Sequence, residues 1–204
     1  MEEIALLDVS AVLGLFAMVT LTVNVLLGML LSTGYKAQPL WKKLPPWAKK
    51  IDVNTIHNWT AYLALLLVLL HPLFLVLDKT TKFTWIDIIY PVNAPKQKLF
   101  VVMGTLAMLA LITVIITTQK KIKRKISFRA WKNIHLISYA TAMLFIVHGL
   151  IMDPLLKDRP TDWLDGEKLL VEGCCIILVA ATIARIQYHY KKAAQMRAKK
   201  GVVI

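Results

Sequence analysis

Five stretches of the chain are apolar with few interruptions: residues 4–31, 57–77, 99–118, 134–152 and 169–186. Each is long enough, at roughly 17–25 residues, for an α-helix to cross a hydrocarbon core about 30 Å thick. Asp8, Glu172, Arg185 and the histidines interrupt them, mostly near their ends. With 57% hydrophobic residues and a mean hydropathy of +0.60, little polar chain remains for a soluble domain. The pattern predicts an all-α membrane protein, a helical bundle of about five transmembrane helices. Residues 1–190 make the membrane domain and residues 191–204 a basic cytoplasmic tail. The first run opens on Glu2 and Glu3 and is longer than a signal-peptide core, so it reads as a span.

The net charge of +13 would suit nucleic acid, but its distribution speaks against that partner. The first loop holds Lys36, Lys42, Lys43, Lys49 and Lys50. The third holds Lys120, Lys121, Lys123, Arg124, Lys125, Arg129 and Lys132. Six more basic residues lie between Arg185 and Lys200. The other two loops carry most of the loop acids, including Asp153, Asp158, Asp162, Asp165 and Glu167. The positive-inside rule then predicts an external N-terminus, a cytoplasmic C-terminus and a multi-pass protein of the inner or plasma membrane. Trp41 and Trp47 among lysines suit the inner headgroup region, and the patch Trp85–Tyr90 suits an outer interfacial helix or lid. Cys174 and Cys175 read as buried thiols, and no C-x-x-C-H haem-attachment motif is present.

Four of the five histidines occupy two of the runs at matched spacing. His57 and His71 bound HNWTAYLALLLVLLH; His135 and His148 bound HLISYATAMLFIVH. At 1.5 Å per residue each pair is separated by about 20 Å along its helix, most of the membrane depth. Ionisable residues at that depth are uncommon and usually functional. Two helices running in the same direction bring His57 level with His135 and His71 level with His148. Imidazole is a common axial ligand of haem iron, so the pairing predicts two bis-histidine b-type haems, an inner and an outer one. Helical phase sets a constraint: at 100° per residue, fourteen positions return to within about 40°, whereas thirteen miss by about 140°. The fourth helix must be overwound or kinked, or its two ligands must approach from different sides. Arg129, Lys132, Lys49 and Lys50 are candidate partners for inner haem propionates, Lys79 and Lys82 for outer ones. Phe145 lies between the depths of His135 and His148, and His189 falls past the fifth run among tail residues, away from the ligands.

The two histidine spacings, with the basic loop and the approach FRAWKNIH ahead of His135, resemble the ferric-reductase-like transmembrane domain shared by ferric reductases and NADPH oxidases. They are also similar to small bacterial members such as the haem-binding membrane subunit of methionine sulfoxide reductase systems. The resemblance implies a di-haem b electron-transfer subunit. Its electrons would come from a cytoplasmic flavin reductase or a quinol, through inner and outer haems. The acceptor would be a periplasmic or extracellular redox protein or ferric iron, with quinone or FMN supplied by a partner. No G-x-G-x-x-G loop is present, so nicotinamide chemistry is expected to lie elsewhere. The alternatives are a direct ferric or oxygen reductase membrane domain and a haem-free scaffold or transporter of the same fold.

Overall fold

The computed structural model describes residues 6–152 and 164–201; the acids Asp153, Asp158 and Asp162 lie outside them. Five helices are long and apolar enough to cross a membrane: α1 (Leu6–Ser32), α2 (Val53–Leu77), α3 (Lys98–Thr118), α4 (Phe128–Ile151) and α5 (Gly166–Gly201). Lipid offers no partner for backbone N–H and C=O groups, so apolar runs of this length close their hydrogen bonds internally as helices. Their ends follow local chemistry. Gly34 adopts φ 66° just past α1, and Pro39, Pro45 and Pro46 break the first loop into short turns. Asp52 caps α2 by accepting from the Asn54 N–H, and the hydroxyl of Thr55 holds its carboxyl below the usual range. Ser127 caps α4 by accepting from the Ala130 N–H. Pro72 sits inside α2, where the helix continues through it. The tail beyond residue 190 continues α5 as far as Gly201.

The helices form a ring, α1–α2–α3–α4–α5, in which α1 also reaches α4. One side of α1 joins a core of Met18, Val25 and Met29 with Ala142 and Ile146 of α4 and Val171, Cys174 and Leu178 of α5. The other side joins Ala17 and Leu21 to Ala64 and Val68 of α2 and Leu111 and Ile115 of α3. Phe145 packs against both cores. Outward-facing side chains remain apolar: Phe16 is 61% exposed and Ile176 69%. Apolar groups on the outside and polar ones inside mark a bundle whose solvent is lipid, and the chain is a multi-pass membrane protein. Both cysteines are free thiols: Cys174 is buried within the first core as its sequence context predicts, whereas Cys175 is only half-buried against it.

At the end away from the basic loops, Phe83 and Ala94 anchor the connection between α2 and α3. There Trp85–Ile89 forms a short helix with a Thr84–Asp87 capping box, leaving Trp85, Ile86 and Ile89 exposed. At the basic end, Tyr188 donates to the Thr33 carbonyl at 2.9 Å and Gln119 donates to the Tyr62 hydroxyl at 3.0 Å.

Buried polar groups tie α1 to α2. The Asn24 amide donates to the His57 carbonyl (2.5 Å) and to the Thr60 hydroxyl (2.8 Å). The Ser10 hydroxyl donates to the His71 carbonyl at 2.7 Å. Interhelical hydrogen bonds in membranes contribute about 0.6–2 kcal/mol. Asn24→Leu should therefore lower the detergent-unfolding midpoint by a loss of about 1 kcal/mol. Thr20→Val, whose hydroxyl bonds the Phe16 carbonyl within α1, should change it little. Equal midpoints for the two variants would contradict this assignment.

Candidate functional site

The fold brings the four histidines together as two facing pairs, one near each end of the bundle. His57 of α2 faces His135 of α4 with ring centres 6.2 Å apart and planes at 75°. His71 faces His148 with centres 6.3 Å apart and planes at 87°. Two imidazoles bonded to opposite sides of one metal, at about 2.0–2.1 Å each, would have ring centres about 6 Å apart. The gap in each pair fits one such atom.

Three of the four rings are held the same way. His57 Nδ1 lies 3.0 Å from the Asn24 carbonyl, His71 Nδ1 2.7 Å from the Ser10 carbonyl and His148 Nδ1 2.8 Å from the Phe100 carbonyl. A carbonyl oxygen only accepts, so Nδ1 carries the proton in each ring and Nε2 keeps its lone pair. Ser10 reinforces this, its hydroxyl lying 3.2 Å from His71 Nδ1. His135 differs. Its Nδ1 is buried without a hydrogen-bond partner, and its ring stacks on Trp131 with centres 5.3 Å apart and planes at 17°. The Lys123 ammonium sits 3.9 Å above the Trp131 ring.

This difference answers the phase constraint. α4 is one continuous helix from Phe128 to Ile151. Its two histidines leave it in different directions, His148 onto α3 and His135 onto its own helix's Trp131.

Each pair opens into a cavity. The one at His71 and His148 has a volume of about 150 Å³ and apolar walls that include Met18, Val68 and Phe145, with Lys168 among its lining. Lys168 is buried and donates to the Leu150 and Met152 carbonyls at 2.7 and 3.2 Å. The cavity at His57 and His135 is larger, about 430 Å³, and more polar, lined by Trp131, Lys132, Tyr139, Arg185 and His189. An Arg185 Nη1 donates to the Tyr139 hydroxyl, and Arg185 Nε is buried with no partner.

Of the basic candidates read from the sequence, Lys132 lines the larger cavity. Arg129, Lys49, Lys50, Lys79 and Lys82 are exposed and outside both linings. Position in the sequence misled on His189. It belongs to α5 itself, one turn past Arg185, and lines the cavity with His57 and His135 instead of standing apart in the tail. Arg185 was detectable as an ionisable group in an apolar run. Tyr139, Lys168 and the glycines facing the rings carried no local signal.

Five apolar spans enclosing two internal histidine pairs define an integral membrane bundle. The chain matches the family described as ferric reductase like transmembrane component over residues 13–146, and it belongs to that family. The matched span contains His57, His71 and His135. No curated protein and no solved structure matches the chain. Membership makes it a transmembrane electron-transfer module of a kind that generally binds haem.

Proposed function

We propose that the chain is a di-haem b subunit that moves electrons across the membrane. His57 and His135 would hold the inner haem, His71 and His148 the outer. The observation that carries this reading is the pair of facing imidazoles at each end, with ring centres 6.2 and 6.3 Å apart. Among the described residues no three His, Cys, Asp or Glu side chains converge, so a bare ion would find too few protein donors. A haem, which brings its own ring nitrogens, would need only the two imidazoles that each pair offers. Haem supplies reversible one-electron chemistry when bound.

The protein's own groups do the rest. Backbone carbonyls accept from Nδ1–H of three rings, which leaves each Nε2 lone pair available to a metal and would raise its basicity. A haem held by both imidazoles of a pair would serve electron transfer and not oxygen activation. Arg185, Lys132 and His189 supply cationic and donor groups for the propionates at the basic end, and Lys168 is the cation in the lining at the other. The walls around the outer pair are mostly apolar, with Glu167 and Lys168 at their edge. The positive-inside distribution supports a cytoplasmic basic end and an external N-terminus. The donor is a cytoplasmic flavoprotein or a quinol, and the acceptor an external redox protein or ferric iron.

Single His→Ala variants test the pairing. His57→Ala and His135→Ala should each remove the same haem, and His71→Ala and His148→Ala the other, leaving about one haem per chain by pyridine haemochrome. Loss of different haems from His57→Ala and His135→Ala would refute the pairing. Arg185→Leu should lower inner-haem occupancy while sparing the outer haem; equal retention of both would remove Arg185 from the site.

The donor is tested separately. Nothing in these residues cradles a nicotinamide, so NADPH alone should not reduce the haems. Adding a soluble flavin reductase should reduce them at a rate that falls with ionic strength, because the docking face is basic. Rapid reduction by NADPH without flavoprotein would contradict this. Reduction by a quinol analogue, blocked by quinone-site inhibitors, would select the quinol donor.

A further inference from the structure

Each of the three carbonyls that receive a ring N–H lies four residues before a glycine: Ser10 and Gly14, Asn24 and Gly28, Phe100 and Gly104. The glycines touch the same rings. A Cβ on Gly14 would lie 3.1 Å from His71 Nδ1, one on Gly28 3.2 Å from His57 Cε1, and one on Gly104 2.8 Å from His148 Cε1. The spacing has a physical reason. In a helix the carbonyl of residue i already accepts from the N–H of residue i+4, and the Cβ of i+4 tilts back over that carbonyl. A side chain there shields the oxygen from a second donor. Glycine uncovers it and lets the imidazole lie flat against the helix.

The repeat on α1 matches the ligands on α2. Ser10 and Asn24 are fourteen apart, as are Gly14 and Gly28, and so are His57 and His71 on the antiparallel neighbour. On α3 the step occurs once, for His148. Gly104 is the only glycine in that helix. Nearer its other end Thr117 spends its hydroxyl on the Thr113 and Val114 carbonyls, and Thr118 lines the cavity that holds His135. His135, with no such step beside it, is the ligand whose Nδ1 has no partner.

We propose that Gly14, Gly28 and Gly104 are positioning residues, each making a seat in which one axial histidine is held in its Nδ1–H tautomer with Nε2 turned to the iron. The inference rests on the four histidines being haem ligands. It predicts which haem each glycine governs: Gly14 and Gly104 the outer, Gly28 the inner.

The test uses the full-length purified protein and its Gly14→Ala, Gly28→Ala and Gly104→Ala variants. Gly173→Ala is the control, since a Cβ there meets nothing within 4 Å. The readouts are haem content, low-spin ferric EPR signals and midpoint potentials, assigned by the single-haem His57→Ala and His71→Ala proteins. Gly14→Ala and Gly104→Ala should shift or lose the outer signal and spare the inner. Gly28→Ala should do the reverse. Loss of a partner to a metal-ligating histidine costs about 10–100-fold in affinity, and an effect of that order is expected. If Gly104→Ala, with the tightest contact, fails to fold, the milder contacts of Gly14 and Gly28 still decide. Unchanged signals in all three variants of a two-haem protein would overturn the seats alone. Equal loss of both haems in each variant would reduce them to general packing and overturn them too. A wild type without haem would overturn the ligand reading and the seats with it.

Discussion

A ring N–H donated to a helix carbonyl inside hydrocarbon is the interaction on which the rest of this structure depends. An imidazole buried in lipid must pair its N–H or suffer the full cost of desolvation. Pairing with a neighbouring helix solves that problem and at once fixes the tautomer, the ring direction and the distance between helices. α1 approaches α2 closely because Asn24 and Ser10 bond the His57 and His71 carbonyls while receiving those residues' ring N–H groups. α3 is set against α4 in the same way by Phe100 and His148.

The two ends of the bundle are not equivalent. The His71–His148 pair sits in a small, mostly apolar cavity with both rings hydrogen-bonded. The His57–His135 pair sits in a larger, more polar one with Arg185, Lys132 and His189, and one of its rings, His135, stacks on Trp131. On the di-haem reading, a basic, polar inner site suits exchange with a cytoplasmic donor. A less polar outer site suits passing charge onward to an external acceptor.

Much of this was legible in the sequence. Spans of 18 or more apolar residues stand out because lipid tolerates little else, and all five appear as helices. The histidine spacings predicted which rings meet, since antiparallel connections force α2 and α4 to run the same way. Less visible was how the rings are held. Gly14, Gly28 and Gly104 matter through a neighbouring helix, and a single glycine in an apolar run has many explanations. His189 was misplaced because the apolar run ends near residue 186 while the helix does not. Hydropathy marks where lipid stops, not where hydrogen bonding stops. Arg129 and Lys132 are both exposed and three residues apart on one helix, yet of the two only Lys132 lines the cavity, and charge alone could not separate them.

The most direct test of the central claim is the low-temperature EPR spectrum of the oxidised, purified protein. Ring planes at 75° and 87° in the two pairs would leave two haems with nearly crossed axial imidazoles. Crossed imidazoles give a highly anisotropic low-spin signal with one prominent low-field feature, and two such species are expected. The three-line rhombic signals of parallel imidazoles, a dominant high-spin signal from five-coordinate iron, or no haem signal at all would contradict the account.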